Sequence, residues 1–188
     1  MSTGFLYRLI IPLLLGLLVS CATVPAEPRS TVRTVQGIAD EIGLGNYKGL
    51  AAWIHMNLKY KTDRTPADEW KEPELTLKDG TGDCEDFALL AIAYLNLSGV
   101  QDDFILGVSP RYRNNGHVVC FFRTDPTQNW QYYSNDDGIL HQGPKDFADL
   151  PSDVGRMMRY GSQLDYQLAS RDNKNIAPAE EAGYGLRD

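Results

Sequence analysis

The stretch from Gly80 to Gly99 constrains the fold of this 188-residue chain more than any other part of the sequence. Two glycines lead to Asp83-Cys84, after which apolar residues recur at helical spacing. This stretch predicts a glycine-rich turn that feeds a helix, with Asp83 as N-cap and Cys84 in the first turn. The predicted apolar face of the helix consists of Phe87, Ala88, Ala91, Tyr94 and Leu95.

Cys84 is a candidate nucleophile because of this position. The unsatisfied N–H groups and the positive end of a helix dipole favour a thiolate over a thiol. The alternative is a buried, inert cysteine, which is a common arrangement in protein cores.

Three extended runs follow the helix, at residues 103–109, 117–123 and 130–134. Each is rich in β-branched or aromatic residues and is bounded by turn residues, which predicts an antiparallel sheet packed against the Cys84 helix. The turn at residues 114–116 places His117 at the start of its strand. A helix-borne Cys, a His on one strand and an Asn or Asp after the next is the chain order of a Cys-His-Asn/Asp triad. The candidates for the third position are Asn135, Asp136 and Asp137, and the chosen residue would accept the Nδ1–H of His117.

Two further residues offer alternatives to this scheme. His141 is a rival base, although the sequence predicts that it lies in a loop that does not fix its direction. Cys120 could form a disulfide with Cys84, but strand alternation turns Cys120 away from the face of His117. A buried free thiol is therefore expected at Cys120.

The motifs of this region resemble a known family. Glu69-Trp70-Lys71-Glu72-Pro73-Glu74, followed by Gly80-Thr81-Gly82-Asp83-Cys84-Glu85-Asp86, is similar to the bacterial transglutaminase-like cysteine peptidases. The resemblance implies an α+β, papain-like and transglutaminase-like fold that hydrolyses a peptide bond in a protein substrate such as a cell-surface adhesin. Members end the strand after the His with Leu-Asp-Asn. Alignment on the aromatic run puts Asn135 in the Asp position, and a shift of one residue gives Asp136.

The carboxylates beside Cys84 present a physical conflict. Asp83 and Glu85 raise the pKa of a neighbouring thiol and so oppose the helix dipole. A bound calcium ion would remove this conflict, and the resemblance implies Asp83 and Glu85 as its ligands, with Asp86 also possible. The alternative is that Asp83 caps the helix and Glu85 is solvated. No organic cofactor is expected.

The N-terminal sequence is typical of a bacterial lipoprotein. Residues 1–20 form an apolar signal segment, and Leu18-Val19-Ser20-Cys21 fits the cleavage pattern that leaves Cys21 lipidated. A plain signal peptide or an uncleaved anchor is the alternative. Ala22 follows the cysteine, which indicates a periplasmic protein held at the outer membrane.

The rest of the chain completes the predicted organisation. Residues 21–33 form a tether, residues 34–169 the peptidase domain and residues 170–188 a disordered tail. Helices are expected at residues 34–43 and 47–60, with His55 in a structural or exposed role. A loop is expected at residues 61–78, where Trp70 either anchors the loop or walls a substrate cleft.

Charge and residue types limit the possible functions. The net charge of −7 does not suit nucleic acid or an anionic lipid surface, so the expected partners are a protein substrate and the membrane that receives the lipid anchor. Two alternatives to the peptidase stay open. An inactive fold of this type could act as a calcium-dependent binding module, and a transglutaminase would use the same triad for acyl transfer to an amine.

Overall fold

The computed structural model describes residues 31–62, 70–111, 116–135, 137–170 and 173–178. The predicted signal segment, Cys21 and Asp136 lie outside these residues. Within the described ranges, no helix is both long and apolar enough to cross a membrane. Helices α1 to α5 span Val35–Ile42, Tyr47–Asn57, Pro73–Asp79, Cys84–Leu97 and Leu150–Met157, with a 3-10 turn at Phe147–Asp149.

The first two helices begin where polar side chains can cap them. The Thr34 hydroxyl accepts a hydrogen bond from the Gly37 N–H, and the side-chain Oδ1 of Asn46 accepts one from the Gly49 N–H. Each cap satisfies an N–H group that the helix itself leaves without a partner. Helix α2 ends at Asn57 and not at Tyr60 as predicted, because the chain turns there into a short strand.

The strands form two sheets. Strands β1 to β8 span Lys59–Tyr60, Thr81–Gly82, Asp102–Pro110, His117–Arg123, Gln131–Tyr133, Leu140–Gln142, Leu164–Ser170 and Asn173–Pro178. Strands β1 and β2 pair in parallel, and the main sheet has the order β6-β5-β4-β3-β7-β8 with antiparallel neighbours. The predicted antiparallel sheet is therefore present, and it extends beyond the three strands that the sequence predicted.

Alternation along the strands separates two apolar cores. Ile105, Cys120, Phe122 and Tyr133 face α1, α2 and α4, and Val118 packs against the same cluster. The intervening side chains form a second, aromatic-rich cluster with α5, whose members include Phe104, Val119, Phe121, Trp130, Tyr132 and Leu150. The sequence predicts Val118, Cys120 and Phe122 on one face of β4 and His117, Val119 and Phe121 on the other. The two clusters confirm this split for the five apolar residues, and His117 belongs to neither cluster.

Three parts of the predicted organisation were wrong. Helix α3 lies within the predicted loop, with Pro73 at its first position, where a missing N–H costs no hydrogen bond. His141 belongs to β6 and not to a loop, because its strand pairs with β5. Residues 173–178, expected in a disordered tail, form β8 beside β7.

Gly82 allows a close approach between the turn and helix α4. A Cβ atom at this position would lie 2.7 Å from Cβ and 2.8 Å from Oδ2 of Asp86. We expect Gly82→Ala to lower the free energy of unfolding by about 1–3 kcal/mol, the usual cost of overpacking. Urea unfolding measures this, and Gly116→Ala is the matched control because its nearest new contact is 3.4 Å. Equal stability of the two variants would contradict the prediction.

Candidate active site

The turn before α4 contains two glycines that are needed for different reasons. Gly80 ends α3 in the left-handed region with φ 66°, and Gly82 makes the close approach to Asp86. The Lys61 N–H donates to the Gly82 carbonyl at 2.8 Å, which fixes the turn to β1. Asp83 then begins α4 as its N-cap, as predicted, in a capping box with Asp86.

Asp86 is a fully buried carboxylate that joins three segments. It accepts from the Lys71 N–H at 2.7 Å and from the Asp83 N–H at 3.3 Å, and the Lys71 ammonium lies 3.1 Å away. Trp70, next to Lys71, is buried with 8% exposed. The loop anchor predicted for Trp70 is therefore present, and Asp86 has a structural role in holding it.

Cys84 is half-buried at the first position of α4. Its Sγ donates to Glu85 Oε2 at 3.2 Å. Burial is the largest cause that raises the pKa of this thiol, and the charge of Glu85, its hydrogen bond and the charge of Asp83 add to it. A hydrogen bond from the Val118 N–H acts in the opposite direction. The contact with Val118 places the Cys84 sulfur next to the residue that follows His117.

His117 lies buried at the start of β4. Its Nε2 is 2.9 Å from the hydroxyl of Ser134, which is 0% exposed. This contact at Nε2 was not predicted from the sequence. The predicted partner of Nδ1, Asn135 or Asp136, stays a prediction, and Asp136 lies outside the described residues.

Asn135 occupies a different place. It lines a cavity of about 360 Å³. Its Oδ1 is buried and has no hydrogen-bond partner in the described part of the chain. Asn135 therefore lies beside the candidate site, and its predicted role as the partner of His117 stays a prediction.

His141 and Cys120 are the remaining candidates. His141 lies 3.1 Å from Asp137 and stacks on Tyr132 with ring centroids 4.8 Å apart, so its environment is distinct from that of His117. Cys84 and Cys120 are free cysteines, and Cys120 is fully buried. The disulfide alternative is thus not formed.

Asp83 and Glu85 are the predicted ligands of a calcium ion. Asp83 and Glu85 flank the thiol and are buried, with 5% and 4% exposed. Among the described residues, no group of three or more His, Cys, Asp or Glu side chains is arranged to hold a metal ion. A calcium ion here would take two side-chain ligands and complete its shell with backbone carbonyls and water, which calcium accepts.

A cysteine at the start of a buried helix that packs on an antiparallel sheet, with a histidine on the adjoining strand, defines a papain-like α+β domain. The transglutaminase-like superfamily model matches residues 29–135, more than half of the chain. The chain therefore belongs to the transglutaminase-like superfamily.

Solved structures of Legionella pneumophila LapG are similar to this chain. One is 19% identical and covers 78% of this chain and 76% of LapG with a TM-score of 0.51. The calcium-bound form is 19% identical over 71% and 67% with a TM-score of 0.49, and the EGTA-treated form is 20% identical over 73% of each with a TM-score of 0.46. No curated protein matches the sequence significantly. The fold expected from the motif resemblance is confirmed.

The contact between Cys84 and Glu85 gives a prediction about thiol reactivity. In chelator, Glu85→Gln removes a charge that raises the pKa of Cys84, so more thiolate is present at a given neutral pH. Each unit by which the pKa falls raises the thiolate fraction about tenfold while the pH stays below the pKa. We expect faster iodoacetamide alkylation, followed by mass spectrometry across pH 6–10.

The matched control for this prediction is Glu74→Gln. Glu74 is an exposed acid in the first turn of α3. An alkylation profile for Glu85→Gln that coincides with that of Glu74→Gln would show that Glu85 does not restrain the thiol.

Proposed function

We propose that this protein is a cysteine peptidase that cleaves a peptide bond in a protein substrate. One observation carries the proposal. The thiol of Cys84, at the N-terminus of α4, lies against the Val118 N–H, beside a histidine whose ring is held by Ser134. The membership in the transglutaminase-like superfamily supports the same reaction class.

In this mechanism, His117 takes the proton of Cys84, and the thiolate attacks the amide carbonyl. The C–N bond breaks, and the protonated His117 gives its proton to the departing amine. Water then hydrolyses the thioester and restores the thiol. The Cys84 N–H at the helix terminus is one donor to the oxyanion.

Ser134 is the positioning residue of the proposed triad. Since its hydroxyl meets Nε2, proton exchange with the sulfur runs through Nδ1. A hydroxyl can orient the ring, but it does not supply the negative charge with which an aspartate stabilises an imidazolium. We propose Cys84 and His117 as the catalytic pair with Ser134 as the positioning residue, and Asn135 and Asp136 remain the predicted alternatives for the third residue.

The cellular setting is also a proposal. The lipoprotein pattern that ends at Cys21 supports a lipid anchor on the periplasmic side of the outer membrane. A tether of about a dozen residues would give the domain reach toward a protein that passes nearby. A cell-surface adhesin is a substrate of this kind.

A binding module is the second candidate, and a specific observation favours it. The raised pKa of Cys84 and its bond to Glu85 keep the thiol protonated, as expected of a cysteine that does no chemistry. Acyl transfer to an amine would use the same three residues as hydrolysis. An assay with and without an added primary amine separates transfer from cleavage.

Cleavage of a mixed peptide library by the full-length chain in detergent tests the peptidase. We expect Cys84→Ala to abolish cleavage and Ser134→Ala to lower kcat/KM by about 100-fold, at the lower end of general acid–base contributions. Ser134→Asp, which keeps an acceptor, should retain more activity than Ser134→Ala. Cleavage that survives Cys84→Ala would refute the mechanism, and retention of a bound partner by that variant would favour the binding module.

We also propose calcium at Asp83 and Glu85. The support is the pair of buried carboxylates, which repel each other and restrain the thiol unless a cation balances them. When bound, calcium would supply positive charge next to Cys84.

Isothermal titration calorimetry of the full-length chain tests this site directly. We expect calcium binding that Asp83→Asn combined with Glu85→Gln removes and Glu74→Gln leaves unchanged. Bound calcium should also raise the melting temperature, because it binds the folded state. Equal binding by all three proteins would place the ion elsewhere, and no heat of binding would exclude the site.

A further inference from the structure

A cavity of about 360 Å³ lies between the end of α2, strand β1, the first turns of α4 and the end of β5. Its walls are largely apolar. They are formed by Ile54, Leu58, Tyr60, Phe87 and Tyr133, with Asn135 at the end of β5. Such a mostly apolar cavity with few polar groups has the composition of a binding site.

The cavity shares its walls with the candidate active site. Phe87 lies in the same turn as Cys84, where its N–H donates to the Asp83 carbonyl at 3.1 Å. Tyr60 pairs with Gly82, two residues before Cys84. Asn135 directly follows Ser134, the partner of His117. A group bound in the cavity is thus held by neighbours of the nucleophile and of the base.

The residues that line the cavity favour an apolar ligand group over a charged one. The lining residues of the described chain include no Lys, Arg, Asp or Glu, and His55 is the one side chain of this set that can carry charge near neutral pH. A charged group would lose hydration against the apolar side chains of the lining, whereas an aliphatic or aromatic group would gain from burial there. The Asn135 amide has a donor and an acceptor, which match those of a peptide group.

The surroundings of the cavity favour a polypeptide over a free small molecule. Met56, Tyr60 and Ile139 are 68%, 54% and 56% exposed, and they lie on or next to the segments that form the walls. Gly138, beside Ile139, packs so closely on His55 that a Cβ there would lie 2.6 Å from the His55 Cβ. This contact joins the segment after β5 to α2, so the exposed apolar residues flank one opening.

We propose that the cavity is a specificity subsite that takes one large apolar side chain of the substrate. Asn135 pairs with a backbone amide of the same segment. The inference rests on the proposed peptidase function and names the substrate class: a protein segment with a Leu- or Phe-like residue near the cleaved bond.

Capped tetrapeptide vinyl sulfones test the subsite, because they label an active-site cysteine covalently without turnover. Each position is varied through Leu, Phe, Ala and Asp, and the second-order labelling rate of Cys84 is measured by mass spectrometry on the full-length chain. At one position, Leu or Phe should exceed Asp by at least about tenfold, as expected when a large apolar side chain is buried. Iodoacetamide measures intrinsic thiol reactivity in parallel.

The variants then locate the subsite. Tyr60→Ala should reduce the labelling rate of the preferred probe by about fivefold or more through lost apolar contact, while Tyr60→Phe retains it. Asn135→Leu should reduce labelling by the unmodified probe and leave a probe N-methylated at the paired amide unaffected. Leu97→Ala removes an exposed leucine from the other end of α4 and should change nothing.

The outcomes separate the subsite from the peptidase. If Cys84 reacts with iodoacetamide and the probes show no apolar preference, or keep it in both Tyr60→Ala and Asn135→Leu, the subsite is refuted and the nucleophile stands. If Cys84 reacts with neither reagent, the peptidase assignment and the subsite fall together.

Discussion

The candidate site depends on the buried carboxylate of Asp86. It lies one turn into α4 and receives the N–H groups of Lys71 and Asp83 and the Lys71 ammonium. A buried carboxylate is stable only when it is paired and hydrogen-bonded, and removal of one partner of such a pair costs about 3–5 kcal/mol. Because its partners come from two chain segments, this one group holds the Trp70 loop, the Gly82 turn and the start of α4 in a single arrangement. The position of Cys84 follows from that arrangement.

The same helix terminus shows which electrostatic effect dominates at the thiol. A helix N-terminus acts like about half an elementary positive charge, and it favours a thiolate. Glu85 contributes a full negative charge at hydrogen-bond distance, Asp83 adds a second, and burial penalises any thiolate. Burial and the carboxylates therefore dominate over the dipole and raise the pKa of Cys84, which is the conflict at Asp83 and Glu85 that the sequence predicts.

Strong periodic patterns could be predicted from the sequence, whereas contacts between distant segments could not. Helix α4 and its Asp83 cap follow from local spacing, and strands β3 to β5 follow from alternation and turn residues. Helix α3 was missed because seven residues with two buried side chains are too few to show a helical period. Strand β8 was missed because its pairing with β7 is set by tertiary contact and not by apolar alternation.

The contact between Ser134 and His117 was not predicted, for a related reason. An aromatic run fixes an alignment only to within a residue, and a shift of one residue reverses the face of a strand. Ser134 lies on the face of His117, while Asn135 lies on the face of Tyr133 and the cavity. Cβ atoms alternate in direction along the chain. The Ser134 hydroxyl therefore contacts His117, whereas the Asn135 amide lines the cavity.

The environment of Cys84 bears on how the proposed peptidase would be activated. Burial, Glu85 and Asp83 all raise the pKa of the Cys84 thiol. The proposed peptidase would therefore require a change at these carboxylates, either a cation that balances them or a substrate that displaces the thiol from Glu85.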